Sequence, residues 1–309
     1  MKMLQWMLCA AAIMLFSNET PAASAQSDAK ESLDRYLDVV YTTVEQGDQS
    51  RELKLDIFIP RNAKKPVPLV VWIHGGAWMV GDKRPCASLF MTEHGFAAAS
   101  IGYRLYPEAI FPAQIHDCKA AIRFLRANAE KYGIDPNAIG VWGASAGGHL
   151  AAMLGVSAGN EQADGTLGDY TNVSTRVQAV CSWFGPMDFF TMPLGRRQFQ
   201  ADRDPETLLL GGRLSEKQDL ARLVSPISHV SKDDPPFLFM HGNRDTTVPL
   251  QQSRLMHEML TAAGVPSELI VLKGEGHGFR DNQAAAQKVL QFFKRQLQDK
   301  PKDKIATEE

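Results

Sequence analysis

Two hydrophobic rhythms organise the chain. From Tyr36 to Val44 and from Leu53 to Ile59, apolar and polar residues alternate on either side of Glu45-Gln46-Gly47-Asp48-Gln49. A period of two interrupted by a turn-forming cluster predicts two half-buried strands joined as a hairpin. The next segment, Leu69-Val70-Val71-Trp72-Ile73, is apolar without a break, as in a strand covered on both faces. Phe96 to Ile101, Ile139 to Trp142, Val177 to Phe184, Phe237 to Met240 and Leu269 to Leu272 read the same way. Helical stretches separate them. A short piece spans 85–94, and 112–131 carries Ile115, Cys118, Ala121, Ile122 and Leu125 at helical spacing before Gly133 ends it. Further helices are predicted at 148–154, 250–263 and 283–297. Strands alternating with helices imply an α/β fold: a mostly parallel central sheet with helices on both faces. Such sheets bind ligands beyond the carboxyl ends of their strands.

Two segments interrupt the alternation. Residues 159–175 are polar and read as a surface loop, and 186–233 form a longer insertion between two strands. We read the insertion as a small cap over the site, within a single domain spanning 26–299. The charged tail, 300–309, is expected to be disordered. At the other end, Lys2, the short apolar run Leu4 to Phe16 and Ala23-Ser24-Ala25 have the layout of a signal peptide. Residues 1–25 are therefore expected to be removed, leaving a periplasmic or secreted protein beginning near Gln26 without a membrane anchor.

Composition narrows the function classes. With 309 residues, 44% hydrophobic, 22% charged and a net charge of -2, the chain can bury a large core and offers no basic surplus for nucleic acid. Once the leader is gone, Cys86, Cys118 and Cys181 remain. An odd number allows at most one internal disulfide, and no metal-ligand spacing occurs among them. Cys118 and Cys181, in apolar surroundings, read as small buried hydrophobes.

The chemistry centres on Gly143-Ala144-Ser145-Ala146-Gly147, a G-x-S-x-G pentapeptide between the strand Ile139 to Trp142 and the helix that follows. Strand, sharp turn and helix make the context of a nucleophile elbow. A serine hydroxyl needs a base to take its proton and a carboxylate to orient that base. His277, in Gly274-Glu275-Gly276-His277-Gly278-Phe279, follows the strand Leu269 to Leu272; Asp245, in His241-Gly242-Asn243-Arg244-Asp245, follows Phe237 to Met240. Asp188, also after a strand, is the rival acid. His74-Gly75-Gly76-Ala77-Trp78 follows the strand 69–73, where backbone N–H groups of Gly75 and Gly76, with that of Ala146, could face a developing oxyanion. Trp78, Met187, Phe189 and Phe279, with Phe111, are placed to ring the site and bind substrate, with packing into the core as the equal alternative for each. His149 and His257 lie on helices and read as structural; His74 and His241 read as loop braces, and Arg196 and Arg197 as a solvated face.

Taken together, His74 to Trp78, Tyr103 to Glu108, Phe111 to Gln114, Asp117, Tyr132 to Pro136, Gly143 to Gly148 and the segments holding Asp245 and His277 resemble the α/β-hydrolase superfamily. The resemblance covers roughly 40–296. It is strongest to the hormone-sensitive-lipase-like group and the exported bacterial feruloyl and acetyl-xylan esterase type. It implies Ser145, Asp245 and His277 as triad, Gly75, Gly76 and Ala146 as oxyanion donors, and Tyr103 to Glu108 as support. It also implies a small-molecule or polysaccharide-linked ester as substrate, with no cofactor and no metal, and leaves the oligomeric state open. Two positions depart from the group: Ala144 where an acidic residue is frequent, and Ala77 where many members carry a third glycine. A prolyl-oligopeptidase-like peptidase and a non-catalytic binding module of the same fold are the alternatives.

Overall fold

The computed structural model describes residues 32–47, 49–193, 203–280 and 282–299. The leader, the 300–309 tail, Arg196 and Arg197 lie outside them. The described residues build one eight-stranded sheet: β1 (Leu33–Gln46), β2 (Gln49–Pro60), β3 (Val67–Ile73), β4 (Ala97–Ile101), β5 (Ile134–Ala144), β6 (Ala179–Trp183), β7 (Phe237–Gly242) and β8 (Ser267–Leu272). Their spatial order is β1-β2-β4-β3-β5-β6-β7-β8. Strand β1 pairs antiparallel with β2, and β2 antiparallel with β4. All later pairings are parallel. The helices are α1 (Ala113–Ala127), α2 (Ala129–Tyr132), α3 (Ala146–Val156), α4 (Glu161–Asp164), α5 (Pro205–Leu210), α6 (Gln218–Val224), α7 (Gln251–Ala262) and α8 (Asn282–Phe293).

The strand alternation explains how one apolar run supplies two cores. Along β3, Leu69, Val71 and Ile73 join a cluster that includes Ile115, Ile122, Leu150 and Met256 from α1, α3 and α7. Val70 and Trp72 point the other way, into a cluster with Trp142, Cys181, Leu238, Val289 and Phe293. Successive strand residues face opposite sides of the sheet, so a strand with helices on both sides must be apolar at every position.

Three expectations needed correction. The helix foreseen over 112–131 is two helices, α1 and α2, separated at Asn128, whose side chain donates to the Phe124 carbonyl at 2.9 Å. The polar loop 159–175 contains α4, capped by Asn160, whose side chain accepts from Gln162 and Ala163 N–H. Buried Lys119 ties that loop to the end of α3, donating to the Ser157 carbonyl at 2.6 Å and to the carboxylate of Asp164. Finally, β8 is no fully buried strand: it is half-covered, with Val271 39% exposed. It is the last strand of the sheet, and an edge strand has one neighbour fewer to cover it. Cys86, Cys118 and Cys181 are all free thiols. Among the described residues no helix is long and apolar enough to cross a membrane.

Candidate active site

Strands β3, β5, β7 and β8 deliver the candidate triad and oxyanion residues, each just beyond its carboxyl end. Strand β5 ends at Ala144 and α3 begins at Ala146, so Ser145 alone makes the turn. It does so at φ 55, ψ -121, a conformation that costs roughly 1–3 kcal/mol for a residue with a Cβ and survives only where the surroundings enforce it. They do so on both sides. Ser145 N–H donates to the Trp183 carbonyl at 2.8 Å, and its own carbonyl accepts from His149 N–H at 2.9 Å. The flanking glycines are a steric requirement: a Cβ at Gly147 would overlap the carbonyl oxygen of Ile73, and one at Gly143 the carbonyl of Gly147.

The base and acid arrive through a second close approach. Asn243 N–H donates to the Leu272 carbonyl at 3.1 Å and Arg244 N–H to the Glu275 carbonyl at 2.8 Å, locking the β7 and β8 loops side by side. His277 Nε2 then lies 2.9 Å from Ser145 Oγ, and Nδ1 lies 2.7 Å from Asp245 Oδ2. The carboxylate can only accept, so Nδ1 carries the proton and Nε2 is free to accept from the serine hydroxyl. The other carboxylate oxygen, Oδ1, accepts from Thr247 N–H at 2.8 Å and Val248 N–H at 2.9 Å. Asp188 stands elsewhere: its Oδ1 accepts from Phe190 N–H at 3.0 Å, closing its own turn.

The side chain of Asp245 is fully covered. Burial alone would push its pKa up; the hydrogen bonds from His241, His277 and Val248 N–H, with the charge of His277, outweigh it and hold the carboxyl well below the usual carboxylate range. It is therefore ionised at neutral pH. His241, read from sequence as a loop brace, contributes directly to this. Its Nε2–H donates to the Val248 carbonyl at 2.8 Å and approaches Asp245 Oδ2 at 3.3 Å, while Nδ1 accepts from Ser253 Oγ–H at 2.7 Å.

The loop after β3 carries three successive left-handed residues, Gly76 (φ 108), Ala77 (φ 55) and Trp78 (φ 57). Gly76 O accepts from both Met79 and Val80 N–H, and Trp78 O accepts from Tyr106 N–H at 2.8 Å. Tyr103 stacks on His74 with centroids 4.4 Å apart and donates its hydroxyl to the His74 carbonyl at 2.9 Å. Arg104 pairs with buried Asp117 at 2.6 Å. The 103–108 segment thus braces this loop. Gly75 packs against the elbow: a Cβ there would stand 2.7 Å from the Ala144 carbonyl. Ala146 opens α3, so its N–H has no carbonyl one turn earlier in the helix to donate to.

None of the five residues expected to ring the site presents an open face to solvent. Trp78, Phe111, Met187 and Phe189 belong to one core cluster and Phe279 to the other. Sequence reasoning overlooked Phe184. It directly follows β6 at φ 39, its ring 4.6 Å from that of His277 and 5.0 Å from that of Phe279. Its position after a strand was the available signal; nothing in the sequence pointed it at the histidine.

Residues 55–260 match the BD-FAE family, and 220–304 match the TAP-like protein family. Esterase LipC of Mycobacterium tuberculosis is 34% identical over 238 residues, which cover 75% of this chain and 58% of LipC. This chain thus spans a little over half the length of the curated relative. A truncated carbohydrate esterase from gut microbiota superimposes with a TM-score of 0.76 at 34% identity, covering 85% of this chain and 96% of that one. An acetyl ester-xyloside bifunctional hydrolase from Caldicellulosiruptor lactoaceticus does so with a TM-score of 0.65 at 26% identity, covering 82% and 88%. A mostly parallel sheet with an elbow serine, and a family match over two thirds of the sequence, lead to one placement: the chain belongs to the BD-FAE family of the α/β-hydrolase superfamily.

Proposed function

We propose that the protein is an exported serine carboxylic-ester hydrolase that works through an acyl-enzyme. The observation that carries this reading is the continuous chain from Ser145 Oγ through both nitrogens of His277 to Asp245, at 2.9 Å and 2.7 Å. In the first half-reaction His277 Nε2 takes the Ser145 proton as Oγ attacks the ester carbonyl carbon. The negative oxygen that forms is met by the N–H groups of Gly75, Gly76 and Ala146, and donors fixed in advance at that position are the largest single contribution to such catalysis. The tetrahedral species collapses to the acyl-serine as His277 passes its proton to the departing alcohol. Water repeats the sequence with His277 as base and frees the acid. Asp245 holds the imidazole in the tautomer both halves need and stabilises it when charged.

Short acyl or hydroxycinnamoyl esters of carbohydrate are the proposed substrates, supported by similarity to a carbohydrate esterase and an acetyl ester-xyloside hydrolase. The 186–233 insertion is the proposed cap, sewn to the body where Met187 and Asp188 N–H both donate to Gln252 Oε1 at 2.8 Å. The decisive experiment compares acetylated xylan, a feruloyl ester, p-nitrophenyl acetate and a peptide anilide side by side. Ester turnover abolished by Ser145→Ala is expected. Turnover that survives this substitution, or cleavage of the peptide alone, would sink the proposal. Amino-terminal sequencing of the exported protein should begin near Gln26.

A further inference from the structure

His149 lies in the first turn of the apolar helix α3, wholly buried, and uses both ring nitrogens. Nε2 lies 2.7 Å from the Val224 carbonyl oxygen, which can only accept, so Nε2 carries the proton. Burial pushes the pKa of the ring down to about 4, against the opposing pull of the Val224 carbonyl. Nδ1 is therefore an acceptor, and it faces the indole Nε1–H of Trp78 at 3.3 Å with the rings edge to face at 5.2 Å. Phe189 closes the group, its ring 5.5 Å from His149 and 5.8 Å from Trp78.

Three parts of the site meet here. The backbone N–H of His149 holds the Ser145 carbonyl. Trp78 ends the left-handed run Gly76-Ala77-Trp78, in which two residues carry a Cβ and need external restraint. Val224 ends α6 and Phe189 stands near the start of the 186–233 insertion, where its N–H donates to Ser225 Oγ at 3.0 Å.

We propose that His149 is a positioning residue: its imidazole clamps the Trp78 indole, keeping the Gly75 and Gly76 amides aimed at the oxyanion formed on Ser145, and ties that clamp to the insertion. The proposal rests on the esterase reading above. A histidine that merely fills the core would affect stability and leave the chemical step alone.

Two amide replacements separate these roles. His149→Asn places an oxygen near the Nδ1 position, retaining the acceptor for Trp78 and losing the Val224 bond. His149→Gln places a nitrogen near Nε2, retaining the Val224 bond and losing the acceptor. Trp78→Phe removes the indole donor from the other side. With p-nitrophenyl acetate, His149→Gln and Trp78→Phe are each expected to lower kcat about tenfold with KM within about twofold, as small misplacements of catalytic groups do. The double variant should lose little more than either single, because one interaction is removed twice. His149→Asn should keep kcat within about twofold of the parent. Thermal melts run alongside report the folded fraction.

Unchanged kcat in His149→Gln, additive losses in the double variant, or losses in both amide variants that track their melts would overturn the proposal. Should His149→Gln fail to fold, Trp78→Phe decides by itself: kcat unchanged overturns the clamp. A parent protein without esterase activity, or a Ser145→Ala variant that retains it, would instead overturn the esterase reading and the clamp with it.

Discussion

Ser145 and Asp38 share a backbone φ of 55 although neither is glycine, and the two are held in opposite ways. At Ser145 the restraint is backbone: the Trp183 carbonyl on one side, His149 N–H on the other, and glycines that let helix and strand nearly touch. At Asp38, where the β1–β2 register slips, the restraint is charge. Its N–H donates to Asp56 Oδ1 at 2.8 Å, and its carboxylate meets Lys83 at 2.6 Å and Arg84 at 2.7 Å. Hydrogen bonds from Lys83 first, then Arg84, pull the Asp38 pKa down to about 2 although the group is exposed. A positive φ at a residue with a side chain can be held by backbone dipoles, which salt hardly screens, or by ion pairs to an exposed carboxylate, which salt weakens.

The contrast is broken most severely at the elbow. Ser145→Ala removes the nucleophile and is expected to lower kcat about 10^6-fold, read with p-nitrophenyl acetate and with loss of fluorophosphonate labelling. Asp245→Asn keeps the volume but reverses the preferred imidazole tautomer, for an expected loss of about 10^4-fold in kcat. A variant within tenfold of the parent would show that the 2.7 Å contact does not set the tautomer. Gly147→Ala drives a Cβ into the Ile73 and His74 carbonyls, and a backbone clash of that kind should cost more than about 3 kcal/mol. Its melting temperature and soluble yield measure this.

A pH titration sharpens the comparison more gently. His149 has its pKa lowered from 6.5 to about 4, and His74 is lowered too, by burial in both. Between these values the unfolded chain binds more protons than the folded one, so stability rises with pH across that window. It is complete above about 6.5 and lost as pH falls toward about 4. Asp245, also lowered, holds its contribution above the ordinary carboxylate pKa and loses it at lower pH. Melts from pH 7 to pH 3 should show the decline, flattened between pH 6.5 and pH 4 in His149→Asn. The smallest effect belongs to the exposed pair. Asp38→Asn should lower the melting temperature least of these variants at low salt, and by less still in high salt. A loss at Asp38 that equals the one at Gly147 would erase the distinction between the two regions.

Legibility followed the range of the interactions. Strand β3 announced itself because a strand with both faces covered must be apolar at every position, and Gly143 and Gly147 marked the elbow because only a bare backbone fits there. Strand β8 misled because its apolar run matched those of the central strands; its exposure depends on being last in the order, which no local pattern encodes. Phe184 and His149 were invisible as parts of the site for the same reason. A buried aromatic and a helical histidine look alike in sequence wherever their rings point.

By itself, then, the amino-acid order determined the alternation of strands and helices, the turn at Ser145 and the placement of His277 and Asp245 after strands. These depend on side-chain period, glycine sterics and turn chemistry within a few residues. Which acid serves the base was decided in three dimensions. Asp245 and Asp188 both follow strands, yet the β7 and β8 loops are locked together and bring only Asp245 to 2.7 Å from His277. The base itself lies 132 residues from the serine it faces at 2.9 Å. That contact exists because parallel strands order their carboxyl ends along one edge of the sheet, and packing on both faces leaves those ends no other place to converge.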